Sequence, residues 1–250
     1  MCGRYATTRT SQKLSDDFGA TLAVSEDEIA ADFNMAPTKR APLVIARAAD
    51  DSAATTRELL TARWGLVPSW AKDVSIGNRM INARSETVDE KPSFKRAFAR
   101  RRAVVPLDGF YEWYQGPDTG SGKPPKQPFF ITGHTPDGGG EGLGVAGLYE
   151  FWKPKDADVP EGDEAEWLVT FTILTTAAEG EDGRLHDRAP WIVAPEHLDA
   201  WLDPTSRPKD DLFALLQPAT PGRLQAWPVS TAVNNVRNNG PELLRPLPAE

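Results

Sequence analysis

Residues 142–176 read GLGVAGLYEFWKPKDADVPEGDEAEWLVTFTILTT. Two runs within this stretch, Gly142–Trp152 and Trp167–Thr176, are rich in β-branched and aromatic residues, which suit a pleated, half-buried surface. The acidic, proline-bearing piece between them reads as a turn or an insertion. The same pattern extends in both directions. PLVIARA (42–48) and RELLTARW (57–64) read as strands joined through the polar turn ADDSAATT. AVVPLDGFYEWYQ (103–115) reads as strand, tight turn at Asp108-Gly109, strand. PFFIT (128–132), WIVA (191–194) and AWPVS (226–230) add further strands.

Short helices lie between them. SQKLSDDFGA carries Leu14 and Phe18 at i, i+4 and stops at Gly19. SFKRAFARR spaces Phe94 and Phe98 on one face and basic residues on the other. PEHLDAWL begins with Pro195 in its first turn, and KDDLFALLQ follows as a second helix. WGLVPSWAKDVSIGNRMINARSE (64–86) reads as an ordered loop, and TAVNNVRNNGPELLRPLP (231–248) as irregular. Seven or more strands at mostly hairpin-like spacing give an α+β fold with a sheet or barrel core. No composition break marks a boundary, so residues 1–250 are expected to form a single domain.

The totals exclude several classes. No apolar run approaches a membrane span, and no secretory-type stretch opens the chain, which implies a soluble, cytoplasmic protein. One cysteine allows no intramolecular disulfide. His134, His186, His197 and Cys2 show no zinc spacing, and no phosphate-cradling glycine pattern occurs, so neither metal nor cofactor is expected. The net charge of −8 argues against bulk coating of nucleic acid. The charge is uneven, however: Arg63 to Arg102 holds ten basic and four acidic residues, a net of +6. A basic patch on an acidic body fits a narrow nucleic-acid groove, and it also fits ordinary solvated faces.

Cys2 is the only cysteine, and it stands beside the initiator. Removal of Met1 gives the first residue two nucleophiles on adjacent carbons. An α-amine has a pKa near about 7.7–8.0, against about 10.4 for lysine, so much of it is neutral at physiological pH. The amine attacks an aldehyde to form a Schiff base, and the thiol then closes a five-membered thiazolidine ring on the same carbon. The competing reading is a small buried hydrophobe with no chemistry.

The blocks MCGRY, FNMAPT, WGLVPSWAKD, MINARSET, VPLDGFYEW, ILTT, LHDRAP and VSTAVNNVRN occur in that order from Met1 to about Pro246. In them the chain resembles the SOS response-associated peptidase family of abasic-site processing proteins. The resemblance implies a single α+β domain with a mostly antiparallel, β-barrel-like core. It also implies a groove for single-stranded DNA with the N-terminal cysteine at its floor. The ring-opened abasic sugar would supply the aldehyde.

By the same resemblance Cys2 is the covalent nucleophile, Asn82 hydrogen-bonds the sugar or the linkage, Glu112 is the acid/base, and His186 moves protons, including in the reverse reaction. Each has a plainer alternative. Asn82 could cap the following turn, Glu112 could be an outward polar residue of an alternating strand, and His186 could be a turn residue paired with Asp187. For DNA contact the resemblance implies Arg84 and Arg4 at phosphates, Trp70 and Pro37 as a stacking wedge, Trp113 as a further platform, and Asn34 in support, holding the α-amine. Trp64 and Trp191 are expected in the core. Departures are the GHTPDGGGEGLG and KPKDADVPEGDEAE stretches and Leu107, where the family pattern usually has alanine. The expected partner is abasic single-stranded DNA, bound by a monomer that joins the nucleoid when engaged. Three activities remain open: a covalent abasic-site trap with some lyase character, a peptidase with an N-terminal nucleophile that cleaves peptide bonds or only its own leader, and a non-covalent binder of single strands or branched DNA.

Overall fold

The structure is a computed structural model, and it describes residues 2–48, 55–116, 126–134, 140–154, 166–178, 187–205, 207–217 and 224–248. It is an α+β fold dominated by strands. The larger sheet contains a closed ring of five strands: β4 (Arg40–Ala48), β5 (Thr55–Trp64), β7 (Arg102–Leu107), β11 (Leu143–Trp152) and β12 (Leu168–Ala177). Neighbours β5–β4, β4–β7, β7–β11 and β11–β12 are antiparallel. An odd-numbered ring cannot be antiparallel throughout, and the closure β12–β5 is the parallel pair, matching Thr170 with Arg63 and Phe171 with Trp64. Two short strands also run parallel to ring members: β2 (Thr21–Leu22) along β5 and β6 (Asn82–Arg84) along β12. β13 (Arg188–Pro190), β14 (Ile192–Val193) and β15 (Leu216–Gln217) extend this sheet.

Side chains alternate across the ring, as a period of two requires. Leu43, Ile45, Ala62, Trp64, Val105, Val145, Phe171 and Ile173 pack inward. Val44, Leu59, Val104, Leu148 and Leu174 face outward. The helices cover that outer side: α1 (Ser11–Phe18) through Leu14 and Phe18, α2 (Lys95–Arg100) through Phe98, α3 (Leu198–Leu202) through Trp201, and α4 (Lys209–Ala214) through Leu212. α1 ends as its sequence suggests, with Thr10 accepting from the Lys13 N–H at the start and Gly19 at φ 56° at the close. Among the described residues no helix is long and apolar enough to cross a membrane.

The smaller sheet orders β10 (Gly140–Glu141), β9 (Lys126–His134), β8 (Gly109–Gln115), β1 (Tyr5–Thr7) and β3 (Asp32–Met35), with β16 (Leu224–Pro228) also paired to β9. One face joins the ring's interior through Cys2, Tyr5, Met35, Phe110 and Ile131. The other packs Ala6, Tyr111 and Phe130 against Val229, Val233 and Leu243 of the C-terminal segment. That segment, irregular by sequence, holds two 3-10 turns, Thr231–Asn234 and Pro241–Leu244.

One expectation is corrected here. β7 and β8 do not form a hairpin across Asp108-Gly109: β7 pairs with β4 and β11, and β8 with β1 and β9. The dipeptide is a corner where the chain leaves one sheet for the other. The Asp108 carboxylate accepts from the Thr8 backbone N–H (2.6 Å), the Thr8 hydroxyl (2.7 Å) and Arg9 Nε (3.0 Å). The Asp108 N–H donates to the Ala6 carbonyl at 2.8 Å. The corner is therefore fixed by the N-terminal strand and not by a local turn. Gly109 is required for close approach, because a Cβ there would sit 2.5 Å from the Ile131 carbonyl oxygen and against the Phe130 ring. Gly109→Ala is expected to lower the unfolding free energy in urea by about 1–3 kcal/mol, and an unchanged midpoint would contradict this reading of the corner.

Candidate functional site

The antiparallel ladder between β1 and β8 builds the site. Tyr5 lies opposite Phe110 and Ala6 opposite Gly109, and the Tyr111 N–H donates to the Arg4 carbonyl at 2.9 Å. Continuing that register sets Gly3 opposite Glu112, with Cys2 next to it in the chain. Alternation along β8 sends Phe110 and Glu112 toward the ring interior and Tyr111 and Trp113 to the opposite face. Glu112 is thus not the outward polar residue of its strand; it is only 4 % exposed. Cys2 is fully buried in the same inner cluster. Tyr5 beneath it packs on Trp64 with ring centroids 5.0 Å apart, and Trp64 donates its indole N–H to the Ile81 carbonyl at 2.9 Å.

That indole bond and the β6–β12 pairing, which sets Asn82 beside Ile173, deliver Asn82 to Cys2. Asn82 Nδ2 donates to the Cys2 carbonyl at 2.9 Å. Its Oδ1 is buried and has no hydrogen-bond partner among the described residues, so it is available to a donor entering the site. Asn82 does not cap the turn after it; Arg84 occupies that position and makes no side-chain cap.

The electrostatics are those of a desolvated centre. Burial, and next the Glu112 charge, push the Cys2 thiol well up, which keeps it protonated at neutral pH. Burial pushes the Glu112 carboxyl up to about 7; the positive N-terminal amine pulls against this, and Asp187 adds to the rise. Asp187 thereby joins the site's electrostatics. His186, next to it in sequence, lies outside the described residues, as do much of the GHTPDGGGEGLG stretch and most of KPKDADVPEGDEAE. Arg188 forms a forked pair with Glu86 (2.7 and 3.0 Å), which draws the Glu86 carboxyl down to about 2.

The residues expected at DNA divide into two groups. Arg84 is exposed with no ion pair among the described residues, Trp70 is 50 % exposed, and Pro37 is half-buried. Arg4, Asn34 and Trp113 are bound inward instead. Asn34 is fully buried: its Nδ2 donates to the carbonyls of Asn238 (2.9 Å), Asn235 (3.1 Å) and Val233 (3.3 Å), and its Oδ1 accepts from Arg4 Nη1 (2.7 Å). The described bonds of its side chain all go to the C-terminal turn and Arg4, so it stands behind that turn. Arg4 also donates to the Val233 carbonyl (3.0 Å) and lies over the Trp113 ring, whose N–H donates to Asn234 Oδ1 (2.7 Å). Trp64 and Trp191 are core residues, as their sequence context suggests. The asparagines of the C-terminal turn had been given no role by sequence; the signal available was their density.

Residues 1–236 match the family described as "SOS response associated peptidase (SRAP)". The chain belongs to this family. Among its relatives is a protein named abasic site processing protein YoqW from Bacillus subtilis (strain 168), 36% identical over 245 residues, which covers 98% of this chain and 99% of the relative. Another is abasic site processing protein HMCES from Gallus gallus, 34% identical over 236 residues, which covers 86% of this chain and 66% of that protein. In fold the chain is similar to a crystal structure from Bacteroides thetaiotaomicron, with a TM-score of 0.78 and 23% identity over 98% of this chain and 100% of that one.

The raised Glu112 carboxyl has a testable sign. A carboxyl that is easier to protonate in the folded chain stabilises it most below the ordinary Glu range, near 4.5, and that contribution is lost as pH rises through about 7. Glu112→Gln is expected to remove this loss, leaving the variant more stable than the parent by up to about 3 kcal/mol at pH about 8 and close to it at pH about 4. Parallel stability–pH curves from chemical denaturation would contradict the assignment.

Proposed function

We propose that this SRAP protein processes abasic sites in single-stranded DNA by covalent capture at Cys2. The observation that carries the reading is the convergence on one buried cysteine, second in the chain, of an amide held to its carbonyl at 2.9 Å and a desolvated carboxyl facing the same interior. The names of the SRAP relatives supply the substrate class.

Removal of Met1 frees the Cys2 amine. Its nitrogen attacks the aldehyde carbon of the ring-opened sugar, and the resulting carbinolamine loses water to give the imine. The sulfur then adds to the imine carbon, its proton passes to the nitrogen, and a thiazolidine results. One C–N and one C–S bond form, the carbonyl oxygen leaves, and one water is released overall. Glu112, its carboxyl pushed up by burial, takes the proton lost by the attacking nitrogen and returns it to the departing water. The protonated thiol is less prone to stray oxidation and meets the imine only after nitrogen has reacted. Asn82 orients the first residue through Nδ2 and offers Oδ1 to a sugar hydroxyl or the carbinolamine. His186 is assigned proton transfer in the reverse reaction. Arg84 and Trp70, both exposed, are assigned a phosphate contact and a stacking contact.

The test uses a uracil-bearing single strand treated with uracil glycosylase, mixed with the protein, boiled and run on a denaturing gel. A shifted band that requires the glycosylase is expected from the parent chain. Cys2→Ala should abolish it, and Cys2→Ser should weaken it, because oxygen closes a less persistent ring. A band that survives in Cys2→Ala, or peptide cleavage without any DNA adduct, would overturn the reading.

A further inference from the structure

The C-terminal turn makes a choice the fold does not explain. Asn234, Asn235 and Asn239 are exposed, and among the described residues the side chain of each bonds only through its carbonyl oxygen. Asn234 Oδ1 accepts from Trp113 Nε1 (2.7 Å), Asn235 Oδ1 from the Arg237 N–H (3.1 Å), and Asn239 Oδ1 from the Phe33 N–H (2.7 Å). An aspartate accepts such bonds as well, and a charged acceptor makes them stronger. The chain is otherwise generous with carboxylates, holding 36 Asp and Glu, yet none occurs from Leu212 to Pro241. Neutral amides stand where the local geometry would accept acids.

The turn's position supplies a reason. Arg4, two residues after Cys2, and Trp113, next to Glu112, bind it directly. Buried Asn34 draws three of its carbonyls inward, which leaves Val236 and Arg237 on the outside. Arg237 has no ion pair among the described residues. The turn lies on the other face of the sheet from Cys2, so a strand captured at the cysteine would meet it on running round this edge of the sheet, and carboxylates there would repel it.

We propose that the turn Asn234–Asn239 is a wall of the DNA-binding surface, lying along the sugar–phosphate backbone of the captured strand, with Arg237 at a phosphate and Asn34 as the positioning residue behind it. The proposal rests on the capture reading above and adds which further surface holds the strand.

The experiment measures binding of a fluorescent, undamaged oligothymidylate by anisotropy across a salt series, so that covalent chemistry does not enter. The triple variant Asn234→Asp, Asn235→Asp, Asn239→Asp keeps every structural acceptor, and its melting temperature is expected to equal or exceed the parent's. Its affinity is expected to fall by at least about tenfold at low salt, with the gap closing as screening grows. Arg237→Gln is expected to weaken binding and to reduce the log–log salt slope by about 0.7. A control variant carries three new carboxylates on the helix-covered side of the ring, at the exposed positions Gln12, Thr21 and Thr55, and is expected to lose much less affinity. Equal affinity of parent and triple Asp variant overturns the proposal, as does an equal loss in the control or a loss matched by unfolding. A parent chain that binds no single strand overturns the capture reading along with it.

Discussion

The antiparallel pairing of β1 with β8 is the constraint on which the site depends. β1 is only three residues long and would not hold a position by itself. It is held because its neighbours on both sides are strands, β8 and β3, and because Thr8 and Arg9 just beyond it grip the Asp108 carboxylate. The pairing carries the chain's second residue into the ring's interior cluster, one residue beyond the point opposite the inward carboxyl of β8. A corner between two sheets therefore fixes a chemical geometry: Gly109 lets the strands approach, and Asp108 locks the N-terminal segment to the turn from β7 into β8.

Burial then sets the chemistry. In water a glutamate is ionised at neutral pH; burial to 4 % exposure pushes the Glu112 carboxyl up to about 7, which suits it both to accept and to give a proton. The same desolvation holds the thiol in its protonated form. Asn82 adds a donor and an acceptor without adding charge, which matters where an ionised group would shift both neighbours. The site's polarity is thus obtained from few groups, each delivered by a different strand: Cys2 just ahead of β1, Asn82 from β6, Glu112 from β8.

Much of this was legible in the sequence, for identifiable reasons. The Gly142–Trp152 and Trp167–Thr176 strands pair with each other, so local composition sufficed. Asp108-Gly109 was misread because an Asp-Gly step between strands is a hairpin signal, while its partners, Thr8 and Arg9, lie about a hundred residues away. β2 and β6 are too short to show any period, and the parallel closure follows from counting strands round a ring, which no local pattern reveals. Cys2 and Glu112 are singled out in the sequence by their chemistry and motif company, and the structure buries both. A motif names Asn34 as a polar residue without saying which way it faces; here it faces the C-terminal turn from complete burial. The asparagine run has no local period to read; the acceptors it provides serve Trp113 and Phe33, far away in sequence.

The central claim is that the first residue of the processed chain, and no lysine, bonds to the sugar through both nitrogen and sulfur. Its most direct test is tandem mass spectrometry of the nuclease-trimmed adduct. The expected result is a chain lacking Met1, with the sugar remnant on Cys2, a mass one water short of the sum of its parts, and no free thiol. A remnant on a lysine, or on a chain that retains Met1, would contradict it.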